Sequence, residues 1–334
     1  MRRLFWLLVA CGVLAGAGYA LYVFGWPKGP GAETFVEIAP GTGSRAIAAE
    51  LEGHGVIASR YAFEALRLAR GGRLKAGMYR FGQPRTVGEV YRQIERGEVY
   101  TLTLTIPEGA NLFDVAARVE AAKLGTGAAF LTAARGHVEL VRQMDPGAVS
   151  LEGYLFPDTY QFAPGTGAEQ MLSVMVRRFA VEAAALGMEG DLHRVVTLAS
   201  LVERETPIEA ERPMVASVFL NRLERGMPLE TDPTVIYAAL LEGRYRGTIY
   251  QSDLGAGSAY NTYRHTGLPP GPICNPGAVS LRAAKAPAQT RFLYFVAAGS
   301  DPQGKSRFAE TLEEHEKNVA AYRQAVRGAA RGER

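Results

Sequence analysis

The stretch "RVVTLASLVERETPIEAER", residues 194–212, places two carboxylates, Glu203 and Glu205, at the end of an otherwise apolar segment. No helix breaker occurs from Val195 to Arg204, and Thr206–Pro207 then stops the run, which predicts a helix. At about 100° per residue, Val195, Leu198, Leu201 and Val202 share one side, and Glu205 falls inside the same arc. Arg204 points the opposite way, and Glu203 is turned about 160° from Glu205. A core-facing stripe that finishes in an acid has two readings. Either the last turn frays and Glu205 swings into water, or its carboxyl is held against an apolar wall. In the second case desolvation raises its pKa and keeps it protonated near neutrality, as a general acid requires.

Outward from this helix, helices and strands are mixed along the chain. "RPMVASVFLNRLERG" (212–226) predicts a helix that groups Val215, Val218, Phe219 and Arg222 and stops at Gly226. Arg222 is expected to pair with a carboxylate. A helix over 167–186, a strand at 290–298 and a closing amphipathic helix over 309–328 complete this half. In the other half, "VEIAPGTGSRAIAAELE" (36–52) and "LTIPEGANLFDVAARVE" (104–120) align without gaps, each reading strand, turn, helix. Between these copies lie a helix near 59–70, a strand at 76–81 and a helix at 87–96. The fold class is α+β, with a small module over 34–122, a connector over 123–150, a larger domain over 151–327 and a disordered tail over 328–334.

The N-terminus adds a membrane expectation. "MRR" (1–3) precedes "LFWLLVACGVLAGAGYALYVF" (4–24), which holds no charge and no proline. As a helix this run rises about 30 Å, the thickness of a bilayer's hydrocarbon core. Arg2 and Arg3 ahead of it predict a cytoplasmic N-terminus of residues 1–3, a transmembrane anchor over 4–24 and an exported remainder. A cleaved signal peptide, favoured by the small residues near Gly16–Ala20, and a lipoprotein site at Cys11 are the alternatives to an uncleaved anchor. A Pro/Gly-rich linker, residues 25–33, follows.

The 334 residues carry a formal charge of only +3, with basic side chains scattered rather than striped, so no nucleic-acid partner is expected. Two cysteines, one within the apolar run, make no disulfide framework. H-E-x-x-H, C-x-x-C, G-x-S-x-G and S-x-x-K are all absent, so no metal and no cofactor are expected. "GTGSRA" (41–46) imitates a dinucleotide fingerprint, but its copy "GANLFD" lacks the second glycine, and a tight turn is the better reading.

Residues 251–279, "QSDLGAGSAYNTYRHTGLPPGPICNPGAV", are rich in Gly and Pro and show no usable period. Tyr260, Tyr263, Leu268 and Ile273 are poor choices for disorder, so the segment reads as one that builds a site. Aromatics beside amide side chains suit sugars, whose C–H faces lie on rings while amides satisfy their hydroxyls. "EGYLFPDTYQF" (152–162) adds Tyr154, Phe156 and Tyr160 to that inventory.

"LASLVERET", "VFLNRL", "LETDPTVIYA", "AYNTY…TGLPPGPICNPG", "EGYLFPDTY" and "LYFV" together resemble the endolytic murein transglycosylase (YceG-like) family. The resemblance spans almost the whole chain. It implies an enzyme on the inner (cytoplasmic) membrane with its catalytic domain in the periplasm, a LysM-like subdomain over 34–122 and a YceG-like catalytic domain over 151–327. It also implies peptidoglycan glycan strands as the substrate, cut internally at the MurNAc-β-1,4-GlcNAc bond to leave 1,6-anhydroMurNAc ends, and suggests peptidoglycan synthases as partners. The family's catalytic glutamate precedes the threonine of E-x-E-T and corresponds to Glu205. Tyr260, Asn261, Tyr263 and Asn275 fall on motif positions assigned to the sugar-binding wall, with Glu152 and Asp232 shaping the cleft; loop-bracing hydrogen bonds are the alternative role for each. Ser306 in "GKSRF" stands where the family often has histidine.

Overall fold

A computed structural model describes residues 2–299, 301 and 304–332; of residues 3–5, 8 and 329–332 only the backbone is described. By internal contacts the chain divides into two units, Met1–Thr103 with Gln161–Gly165, and Leu104–Tyr160 with Thr166–Arg334.

The first unit opens with helix α1 (Arg2–Gly25). There follow β1 (Thr34–Ile38), α2 (Ser44–Gly53), α3 (Arg60–Arg70), β2 (Gly77–Phe81) and α4 (Val87–Arg96), then the start of β3 (Leu102–Thr105). β1 and β2 pair antiparallel, from Thr34 opposite Phe81 to Ile38 opposite Gly77. Alternation along the strands sends Val36, Ile38, Tyr79 and Phe81 inward, where they meet Ile47 and Leu51 of α2, Phe63 of α3 and Val90, Tyr91 and Ile94 of α4. Helix α4 starts on a reciprocal cap between Thr86 and Glu89 and stops at Gly97, whose φ of 73° lies in the left-handed region.

Among the described residues, no helix is long and apolar enough to cross a membrane. The anchor expected over 4–24 coincides with α1, but part of its apolarity comes from residues 4, 5 and 8, whose side chains lie outside the described ones.

The second unit holds α5 (Leu112–Ala121), α6 (Gly127–Gly136), α7 (Glu139–Arg142), the start of β4 (Thr159–Phe162), α8 (Ala168–Ala185), α9 (Leu192–Glu205) and α10 (Arg212–Glu224). It continues through α11 (Asp232–Leu241), α12 (Gln251–Leu254), α13 (Ala278–Lys285), the antiparallel pair β5 (Tyr294–Ala297) and β6 (Ser306–Ala309), and α14 (Leu312–Gly332). The tail expected to be disordered from 328 is therefore helical to Gly332, because Ala329, Ala330 and Arg331 are strong helix formers that extend α14. Residues 333–334 lie outside the described ones.

The first module was expected to reach residue 122, whereas the chain leaves the first unit after Thr103. Both copies of the duplicated pattern do form strand, turn and helix. Their partners differ: β1 pairs with β2 and β3 with β4, while α5 packs on α6.

α9 is the central element of the second unit and packs against α10, α11 and α13. Every residue from Val196 to Val202 is buried, so the helix is enclosed all round rather than divided into an apolar and a polar face. Thr197 and Ser200 are buried with the rest, and Ser200 Oγ returns a hydrogen bond to Thr197 O at 2.7 Å.

Candidate active site

Several separate pieces of sequence meet at the C-terminal end of α9. Pro207 cannot continue a helix and forces Thr206 into an extended conformation (φ −139°, ψ 129°), so Glu205 is the last helical residue. Its carboxyl opens onto a cavity of about 410 Å³, shared with Phe219 and Arg222 of α10, Thr231 and Asp232 at the start of α11, Tyr263, and His315 of α14. That volume lies in the range of sites for small ligands.

Glu205 is half-buried by exposed area but closely enveloped by protein, and its carboxyl is pushed up to about 7. Burial is the main cause, reinforced by the neighbouring Asp232 charge and opposed by Thr231, Arg222 and Arg204. Thr231 Oγ1 sits beside the carboxyl without completing a hydrogen bond.

The opposing wall is built by side-chain bonds between the "TDPT" and "NTY" motifs. Thr231 N donates to Thr262 Oγ1 at 3.1 Å, the hydroxyls of Thr234 and Thr262 are 2.9 Å apart, and Glu230 N donates to Thr262 O at 3.2 Å. This clasp brings Tyr263 against Asp232, to whose Oδ1 its hydroxyl donates at 2.7 Å. Glu230 holds φ at 52°, an uncommon conformation for a non-glycine residue, on the rim of the same cavity. Arg222 spans the floor: Nε donates to Leu293 O at 2.7 Å, and Nη1 reaches the carbonyls of Leu229 and Pro228 and the Glu230 carboxylate.

Of the residues expected at the site, Glu205, Asp232 and Tyr263 are therefore brought together. The other four are not. Glu152, Asn261 and Asn275 have no exposed surface. Asn275 accepts from Leu155 N at 2.9 Å and donates to Ala110 O at 2.8 Å and Glu152 Oε1 at 3.3 Å, while Glu152 Oε2 accepts from Leu112 N at 2.9 Å. Asn261 donates to Leu254 O and Ala256 O and accepts from Tyr263 N. These three brace the irregular segment rather than line the cavity. Tyr260 is half-buried, packs edge-on to Tyr237 at 5.1 Å and has its phenol pushed up to about 12 by burial.

The bracing has a physical cause. Residues 271–277 are buried against α9 without regular secondary structure, so their backbone groups need partners from elsewhere. Ile273 N donates to Ser200 Oγ at 3.1 Å, and Gly109 and Asn275 exchange bonds with Asn275 O and Ala110 O, each at 2.9 Å. Buried in that network and without a charged partner, Glu152 is raised to about 8, chiefly by desolvation.

Glu203 faces a different neighbourhood. Its carboxylate pairs with Arg212 at 2.9 Å and accepts from Gly277 N at 3.0 Å, which makes it a strut between α9, α10 and α13. Ser306 lies on β6, where its N–H donates to Glu211 at 2.8 Å. His315 was missed as a site residue; the only signal for it was its place in the "EEH" run at the start of the closing helix.

Fold and site together define an α+β protein with a carboxyl raised to about 7 at the end of a buried helix, facing an aromatic and polar cavity. The chain belongs to the YceG-like family, whose profile matches residues 36–321. It is 35% identical over 309 residues to the endolytic murein transglycosylase of Bacillus subtilis (strain 168), covering 86% of this chain and 84% of that one. It is 30% identical to the protein of the same name from Streptococcus pneumoniae, covering 80% of this chain and 54% of that longer one. A crystal structure of the YceG-like protein lmo1499 from Listeria monocytogenes superposes with a TM-score of 0.57 at 34% identity, covering 85% of this chain and 98% of that one.

Proposed function

We propose that the protein is an endolytic peptidoglycan lytic transglycosylase with Glu205 as its general acid and then base. The observation that carries this reading is a single carboxyl poised near neutrality, with a pKa of about 7, on an open cavity walled by Tyr263 and Asp232. The protonated carboxyl donates to the glycosidic oxygen between N-acetylmuramic acid and N-acetylglucosamine as that bond breaks. The muramyl C6 hydroxyl attacks the anomeric carbon, and Glu205, now ionised, takes its proton to leave a 1,6-anhydro end. Intramolecular attack replaces the water-activating base of a hydrolase, and effective molarities of such closures reach about 10⁵ M. Arg222 moderates the rise in Glu205's pKa, which leaves it able to cycle.

Glu205→Gln should lower product formation roughly 10²–10⁴-fold while the protein remains folded. Mass spectrometry of digested sacculi reads this directly, and full activity in the Gln variant would exclude Glu205 as the acid. Asp232 favours one second reading, hydrolysis of the same bond, because it is another carboxylate on the same cavity. That reaction would yield reducing ends one water heavier than the anhydro product. Asp232's bond from Tyr263 fits an acceptor held in place better than a base free to reach water.

The reading extends to location. The uncharged run 4–24 after Arg2 and Arg3 supports a single-pass anchor in the inner (cytoplasmic) membrane with the catalytic unit in the periplasm. There the protein would meet nascent strands and the synthases that extend them. Fractionation of cells expressing the chain with and without residues 1–25 tests the anchor: only the full chain should sediment with membranes.

A further inference from the structure

His315 reaches the Glu205 cavity from the first turn of α14. Its ring stacks on Tyr294 with centroids 5.1 Å apart and planes 20° from parallel, and the Arg222 guanidinium lies 5.2 Å from the centroid of the same tyrosine ring. The stack fixes the plane of the imidazole. Nδ1 is buried and has no hydrogen-bond partner among the described residues. A buried bare acceptor is tolerated better than a buried unpaired N–H, so the proton belongs on Nε2. Burial, then the Arg222 charge, hold the imidazole below the usual histidine range, with Glu316 of the same helix acting the other way. The other charged groups on the cavity are Glu205 at the end of α9 and Glu230 and Asp232 at the start of α11. The ring is thus neutral at pH 7 and offers a single donor.

Phe219, Leu229 and Phe295 line the same cavity. These apolar side chains beside the neutral imidazole donor match a substituent that combines a methyl group with a carbonyl oxygen. A hydroxyl has no methyl to bury, and a carboxylate would be drawn to Arg222 instead.

We propose that His315 is a substrate-positioning residue that donates one hydrogen bond, through Nε2–H, to the acetamido oxygen of an N-acetylated sugar held in this cavity. The assignment rests on the glycan-cleaving reading and deepens it by naming the group that is read.

The test measures binding of N-acetylated and de-N-acetylated glycan oligomers to full-length protein carrying Glu205→Gln, which slows turnover enough for binding to be read. In that background His315→Phe keeps an aromatic ring on Tyr294 and removes both nitrogens. Binding of the acetylated oligomer should weaken about tenfold, the loss of one neutral hydrogen bond. His315→Gln, which restores an N–H donor, should recover it to within threefold of the parent. On the de-N-acetylated oligomer the Phe variant should lose no affinity relative to the parent. The readout is the difference between the two oligomers' losses, in which the part of the ammonium's effect that does not depend on residue 315 cancels. If His315→Phe does not fold, His315→Leu is compared in the same way. Binding within twofold of the parent, or an equal loss on both oligomers, overturns the assignment while leaving Glu205 as the acid. Failure of the wild type to release anhydro ends would instead sink the lytic reading, and failure to bind either oligomer would sink both.

Discussion

Two glutamates one residue apart on α9, Glu203 and Glu205, have opposite fates. The Glu203 carboxylate is buried opposite Arg212, whereas Glu205 makes no ion pair among the described residues, and desolvation, which favours its neutral form, outweighs the more distant Arg222 and Arg204. On the proposed mechanism the protonated carboxyl is the active form, so cleavage should fall as pH rises through about 7, the value of the raised carboxyl. A pH profile of kcat on isolated glycan strands checks this. An alkaline limb that stays flat to pH 9 would assign the acid elsewhere. Asn275 has the contrasting role. Its side chain satisfies Leu155 N, Ala110 O and a Glu152 oxygen, all buried. Asn275→Ala strands these groups and should cost about 2–4 kcal/mol in denaturant unfolding.

At the scale of elements, the end of α9 is positioned by its neighbours. Arg212 opens α10 and is almost fully buried, with Glu203 at 2.9 Å and Glu108 at 3.5 Å. Gly277, just ahead of α13, supplies the backbone bond to the other Glu203 oxygen. Removing one partner of a buried pair leaves the other charge uncompensated, so Arg212→Ala should destabilise the fold by about 3–5 kcal/mol. Chemical denaturation measures the loss. A change below 1 kcal/mol would mean that the pair is not what secures α9. The irregular segment 251–279 contributes to the site in the same indirect manner, since the side chains of Asp253, Asn261, Thr262 and Asn275 bond backbone groups while Tyr263 lines the cavity.

For the whole molecule, two strongly raised carboxyls, with Glu108 raised in the same direction by burial, impose one pH dependence on folding. Glu152 and Glu205 titrate near 8 and near 7 in the folded chain against an ordinary 4.5. Between 4.5 and those values the native state binds more protons than the unfolded state, so stability falls as pH rises through the window and levels off above it. Melting temperature should therefore decline from about pH 5 to pH 8. Glu152→Gln should flatten that decline and gain on the wild type as pH increases. A variant that tracks the wild type across the range would show that Glu152 ionises like an exposed carboxyl.

The sequence alone determined the helix that ends in Glu205 and the strand–turn–helix repeats, and singled out Glu205 as the candidate acid, because periodicity and proline placement are local effects. Two further residues named from its motifs, Asp232 and Tyr263, line the same cavity as Glu205. Only the tertiary structure decided that α9 is enclosed on every side and that the two copies of one local pattern take different strand partners. It also decided that Asn261, Asn275 and Glu152 serve the backbone and that His315, more than a hundred residues from Glu205, shares its cavity. A buried irregular segment must satisfy its own N–H and C=O groups, and which side chains do so depends on contacts between residues far apart in the chain.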